Sequence, residues 1–197
     1  MYKSYHAKFP DIPTLTSAEY LQTISSPASS NNYILVDVRS KTEHNVSMIP
    51  NSISLQEFET QMKNTSNSVN PDQTVVTYCT IGYRSGLEAR RIRDIYHMKV
   101  LNLDGIVNYT HACSAMKREG NGGEGPFLQE PRSRKSTKRV HVFGPAWNVV
   151  SDDFEPGFFS AFDMALQGMG VGLRVCMGGI KRGLRMLCGP CCRRFRV

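Results

Sequence analysis

A chain of 197 residues carrying 24 lysines and arginines against 17 acids is long enough for one domain with a proper core plus an extension, and is no mini-protein in need of staples. The net charge of +7 is unevenly placed: residues 163–197 hold seven basic side chains and one acid, whereas the first 162 hold 17 and 16. The basic balance therefore belongs to the tail and gives no ground for nucleic-acid binding by the globular part. Four of the six cysteines, Cys176, Cys188, Cys191 and Cys192, crowd into the last 22 residues, which is not the spread of a secreted disulfide framework. A reducing, intracellular and cytoplasmic setting is expected. Residues 1–10 contain no apolar run or small-residue cleavage site, and no long uncharged apolar stretch reads as a membrane span.

In chain order, Ile12 to Leu21 reads as a short strand turning into a helix, with Thr16 or Ser17 as N-cap. A Ser/Pro/Asn loop follows, then Tyr33-Ile-Leu-Val-Asp37-Val-Arg39, a continuous apolar strand of the kind buried on both faces of a parallel sheet. Glu57 to Lys63 reads as a short helix. Thr74-Val-Val-Thr-Tyr78 is β-branched and aromatic throughout, which suits a buried strand. Ser85-Gly-Leu-Glu88 has the spacing of a capping box, so a helix is expected from Ser85 to Met98, with Leu87, Ala89, Ile92, Ile95 and Tyr96 facing the sheet and the arginines on a solvated face. Lys99 to Leu103 is a further strand, and Ile106 to Ala112 a helix after Gly105. Strands alternating with helices over short connections imply an α/β fold, an open parallel sheet with helices on both faces.

Between the central strand and its helix lies Cys79-Thr-Ile-Gly-Tyr-Arg-Ser85. This places one cysteine at a strand end and beside a helix N-terminus, where unpaired backbone N–H groups and the positive end of the helix dipole favour a thiolate. Arg84 adds a positive charge. Cys79 is the candidate nucleophile. Asp37 and Arg39 end the neighbouring strand and are expected on the same rim, because ligands of open α/β sheets sit outside the carboxyl ends of strands. A pair fastening two loops is the preferred reading of them.

The pattern Cys79, Gly82, Arg84, Ser85 resembles the active-site loop of the rhodanese family, and more specifically its single-domain members. Val36-Asp37-Val38-Arg39 with Glu43 resembles the family's Asp-x-Arg motif and its following acid. Ile49-Pro-Asn-Ser-Ile53 resembles its Ile-Pro-Gly-Ala-Ile turn, and Leu103-Asp-Gly-Ile106 its Leu-x-Gly-Gly strand end. Four motifs in order span about Leu15 to Ala112. Ser47-Met48 and Asn51 depart from the family's Gly-His and glycine in the structural turn.

The resemblance implies a parallel sheet of about five strands and a thiosulfate sulfurtransferase-like activity. Cys79 would carry sulfane sulfur as a persulfide, Thr80, Ile81, Gly82, Tyr83, Arg84 and Ser85 would hold it, and Asp37, Arg39 and Glu43 would support the loop. The substrates would be a small anionic donor such as thiosulfate and a thiol or cyanide acceptor, or a partner protein, with no metal or organic cofactor. Two other readings stand beside it: a cysteine-dependent phosphatase or arsenate reductase of the same fold, and a non-catalytic regulatory or binding module. Cys113 reads as a small core residue, with a resolving thiol as the alternative.

The remaining chain divides by composition. Residues 1–116 form the expected catalytic domain, 117–138 a Gly/Pro/charge-rich loop, 139–157 an extra strand packing Phe143 and Trp147 on the domain, and 158–197 a basic Gly/Cys-rich tail. His141 and Trp147 read as core before ligand-binding. The tail's apolar residues recur at helical spacing, fitting either a helix on an anionic membrane, with Cys188, Cys191 and Cys192 as lipidation sites, or a solvated basic tail. Cys188-x-x-Cys191 has metal or redox spacing, but lacks a completing ligand set and a strand–helix setting.

Overall fold

A computed structural model describes residues 8–24, 32–64, 73–120, 128–142 and 148–158. In chain order the elements are β1 (Thr14–Leu15), α1 (Ser17–Ile24), β2 (Tyr33–Asp37), α2 (Lys41–Val46), β3 (Ile53–Ser54), α3 (Leu55–Asn64), β4 (Thr74–Tyr78), α4 (Tyr83–Tyr96), β5 (Lys99–Leu103) and α5 (Ile106–Arg118). Short strands β6 (Leu128–Gln129), β7 (Ser136–Thr137), β8 (Arg139–Val142) and β9 (Glu155–Phe158) follow. Five strands, all parallel, form the main sheet in the order β1-β5-β4-β2-β3.

Strand β4 lies in the middle of that sheet with every residue buried, which explains its unbroken β-branched run. Successive side chains of a strand point to opposite faces. Val76 and Tyr78 accordingly join Tyr20 and Leu21 of α1 and Ile106 and Tyr109 of α5 on one side, while Val75 joins Phe58 of α3 and Ala89 and Ile92 of α4 on the other. Each such side chain contributes ~1.5–3 kcal/mol on burial. The sheet is thus covered on both faces, and the loop after β4 emerges at its carboxyl edge.

Helix α4 departs from the sequence reading in two ways. It begins at Tyr83 with Gly82 as N-cap, not at Ser85, because the Ser85 side chain is buried and turned toward Cys79 instead of capping. Its contact face is Ser85, Ala89, Ile92 and Tyr96, at helical spacing, which leaves Leu87 and Ile95 exposed at 48% and 53% rather than against the sheet. The helix arginines are engaged: Arg90 and Arg93 pair with Asp11, and Arg91 with Glu59 and Glu88. The Asp11 pairs fasten the segment before β1 along α4, where the Phe9 ring lies so close to Gly86 that a Cβ there would meet it at 2.5 Å.

The segment read as a loop over 117–138 is partly structured. Helix α5 continues through Arg118, and β6 pairs antiparallel with β7. Leu128 is fully buried, and Gln129 exchanges backbone hydrogen bonds with Met48 at 2.9 and 3.0 Å. Two-residue strands carry no periodicity for a sequence reading to detect. Strand β8 pairs in parallel with β9, and Val140, Val142 and Phe154 join the core layer of α1 and α5. His141 is buried in β8, while Phe143 and Trp147 lie outside the described residues. So does the tail, with Cys188, Cys191 and Cys192. Among the described residues no helix is long and apolar enough to cross a membrane.

Candidate functional site

Cys79 is the first residue after β4 and is only 1% exposed. The Gly82 N–H donates to its Sγ at 3.1 Å and the Ser85 hydroxyl lies 3.4 Å from the same sulfur. Gly82 sits at φ +90, a left-handed conformation that glycine adopts without strain, and this turns its N–H back onto the cysteine. Successive N–H groups in such a turn form an anion-binding concavity. The loop is held from below by the start of α5: Ile106 N–H donates to the Cys79 carbonyl at 2.9 Å and Val107 N–H to that of Thr80 at 3.2 Å. Gly105, at φ +102, allows this approach, since a Cβ there would lie 2.6 Å from the Thr80 carbonyl oxygen.

Arg84, expected to add a positive charge beside the sulfur, interacts with Cys79 through its charge and is also paired with Glu43. Its Nη1 and Nη2 donate to the two carboxylate oxygens of Glu43 at 2.7 and 2.6 Å, and Nη2 also reaches the Thr80 hydroxyl at 3.0 Å. The Thr80 hydroxyl in turn donates to Glu43 at 3.1 Å. Burial alone would raise the Glu43 carboxyl, but the hydrogen bonds and charge of Arg84, with Arg39 behind, bring it down to about 2. Burial would likewise pull the guanidinium down; the bonds and charge of Glu43 hold it above its usual value. Glu43 is placed by its own helix, α2, where it completes a capping box with Ser40.

Asp37 and Arg39 form a fully buried ion pair one layer further out, with Arg39 Nη2 2.7 Å from Asp37 and 2.6 Å from the Ser47 carbonyl. Tyr78, the residue before the cysteine, donates its hydroxyl to Asp37 at 2.8 Å and accepts the Ile49 N–H at 3.1 Å. The pair thereby fixes the turn over 47–52 and, through Tyr78, the end of β4. No contact joins Asp37 or Arg39 to the sulfur among the described residues. The Tyr78 hydroxyl was not visible as a site element from the sequence, since a tyrosine in an apolar run reads as core.

Asp104, at the end of β5, accepts from the backbone N–H of Ser17 at 3.0 Å and from its hydroxyl. Burial pushes its carboxyl up to about 6 despite those bonds. A carboxyl whose folded value lies above its ordinary 3.8 favours folding while protonated, so the folded state loses stability as pH rises through about 6. Asp104→Asn, which keeps an acceptor for Ser17, is expected to raise stability by about 2–3 kcal/mol at pH 7.5 and to change it little below pH 4, read by urea denaturation at the two values. A penalty at pH 7.5 would contradict it. Cys113, buried in α5, has its thiol pushed up to about 12 by burial, which makes it a poor resolving nucleophile. Among the described residues no three His, Cys, Asp or Glu side chains gather in a way that could hold a metal ion.

A parallel five-strand sheet that delivers a cysteine into a turn of backbone N–H groups at a helix N-terminus defines a cysteine-loop α/β domain. Residues 18–111 match the Rhodanese-like domain. Among solved structures it is similar to a rhodanese-like domain protein from Staphylococcus aureus, at 21% identity and TM-score 0.39, covering 60% of this chain and 97% of that one. It is also similar to a thiosulfate sulfurtransferase from Pseudomonas aeruginosa, at 17% identity and TM-score 0.46, covering 68% of this chain and 23% of that one. A third is a protein of unknown function from Rhodopseudomonas palustris, described as a possible tyrosine phosphatase, at 24% identity and TM-score 0.42, covering 63% of this chain and 94% of that one. No match is found among curated proteins.

Proposed function

We propose that the domain is a sulfurtransferase that moves sulfane sulfur through a persulfide on Cys79. The observation that carries the reading is the Gly82 N–H on Cys79 Sγ at 3.1 Å, a donor preorganised for negative charge on sulfur. In the reaction the Cys79 thiolate attacks the outer sulfur of a donor such as thiosulfate. The S–S bond of the donor breaks, sulfite leaves with the electron pair, and the negative charge passes to the outer sulfur of the new persulfide. An acceptor thiolate or cyanide then takes that sulfur and returns the cysteine to thiolate. An acceptor thiol on a partner protein fits the same step.

Besides the donor-binding part expected of it from the sequence, Arg84 has a supporting one. Its guanidinium fork is matched to Glu43, so it staples the Cys79 loop to α2 and the loop N–H groups are left to meet the anion. With Cys79 only 1% exposed, donor entry requires the groups around the sulfur to give way.

Phosphatase chemistry is the competing reading, and loop length separates the two. Arg84 follows Cys79 by five residues, one fewer than in the family's phosphatase and arsenate-reductase relatives, and a shorter cradle favours a single sulfur over a tetrahedral phosphate. Insertion of one glycine after Ile81 is expected to abolish thiosulfate turnover in a folded protein. Turnover equal to the parent's would refute the steric account, and hydrolysis of an aryl phosphate by the parent itself would favour the competitor.

A further inference from the structure

Asn102 is an unusual residue for its place. It lies in β5 beside the central strand, paired with Thr77, and is 2% exposed, a setting in which asparagine is depleted. Its Nδ2 donates to the Gly82 carbonyl at 2.9 Å, whereas its Oδ1 is buried with no hydrogen-bond partner among the described residues. A buried polar atom left unpaired costs stability, so packing alone would favour an apolar side chain of similar volume here. What the amide supplies is the bond to Gly82.

Gly82 is the residue whose conformation puts an N–H on the cysteine sulfur, and as a glycine it has no Cβ to restrict it. Its carbonyl has one other backbone partner, the Gly86 N–H at a longer 3.3 Å. We propose that Asn102 is a positioning residue for the Cys79 loop: by anchoring the Gly82 carbonyl to β5 it locks the left-handed turn that holds the Gly82 N–H on Sγ. It touches neither donor nor acceptor. Its effect reaches the sulfur through Gly82, and its use in catalysis rests on the sulfur-transfer reading.

The test uses the full chain with Asn102→Leu, which removes the donor and keeps the branched outline of the side chain at a larger volume, and Asn102→Ser, which is smaller and cannot overpack. The readouts are thermal stability and the pH profile of Cys79 alkylation by iodoacetamide, neither of which needs sulfur transfer to occur. The expected result is that both variants keep a cooperative thermal transition and so remain folded. With it, alkylation of both variants at pH 6 slows by about 5- to 10-fold, as losing a preorganised donor to a charged sulfur requires, and recovers to the parent's rate at high pH. A folded variant with the parent's alkylation profile overturns the proposal. Should the parent fail to take up sulfur from thiosulfate, the functional reading falls while the alkylation profiles still decide the role of Asn102.

Discussion

Arg39→Met is expected to cost about 3–5 kcal/mol of folding stability, the penalty for removing one partner of a buried ion pair and leaving the other uncompensated. Both side chains of the Asp37–Arg39 pair are fully buried, and Asp37 also accepts from Tyr78. Losing Arg39 therefore strands a carboxylate in the core and removes the bond to the Ser47 carbonyl. The double variant Asp37→Asn/Arg39→Met is expected to lose clearly less than the sum of the two single changes, because the second substitution removes the stranded charge. Urea denaturation of the four proteins measures both quantities. A single-variant loss under about 1 kcal/mol would mean that the pair is not the fastener described.

Glu43→Gln carries the second large effect and gives it a pH signature. The Glu43 carboxyl is fully buried against Arg84 and held down to about 2, below its ordinary 4.5. A depressed carboxyl stabilises the fold above its unfolded value, and that contribution is lost as pH falls through the folded one. Glu43→Gln is thus expected to be less stable than the parent by about 2–3 kcal/mol at pH 7, with the gap closing between about pH 4.5 and 2. Arg84 is 26% exposed at its side chain, so water screens part of the pair and sets the value at the lower end of buried-pair losses. Sulfur transfer is expected to fall in step, since Glu43 holds both Arg84 and Thr80. A gap independent of pH would point to packing rather than charge.

The strand, the loop and the cysteine were readable because their signals are local. A β-branched run from Thr74, and the spacing of Cys79, Gly82, Arg84 and Ser85, lie within 15 residues. The start of α4 was misread for the same reason. Ser85 and Glu88 have capping-box spacing, but the Ser85 hydroxyl lies near the Cys79 sulfur and Glu88 pairs with Arg91 one turn on, so neither side chain serves as a cap. Leu87 and Ile95 were placed on the sheet face because alternation of charged and apolar residues does not say which of two adjacent stripes is covered. The covered stripe is the one that carries Ser85, Ala89 and Ile92.

What sequence could not give were pairings between distant residues. Arg84 meets Glu43 across 41 positions, Tyr78 meets Asp37 across 41, and Asn102 meets Gly82 across 20. Each adds a contact that the local pattern does not carry: Arg84 to a buried carboxylate, a core tyrosine to Asp37, and a strand asparagine to the Gly82 carbonyl. The sequence signal for the last is a lone amide between Leu101 and Leu103.

Intact-protein mass spectrometry after mixing the protein with thiosulfate tests the central claim most directly, run beside Cys79→Ser. The expected result is a gain of one sulfur atom in the parent, removed by cyanide and absent from the variant. A folded parent that takes up no sulfur, or a Cys79→Ser protein that takes up as much, would contradict it.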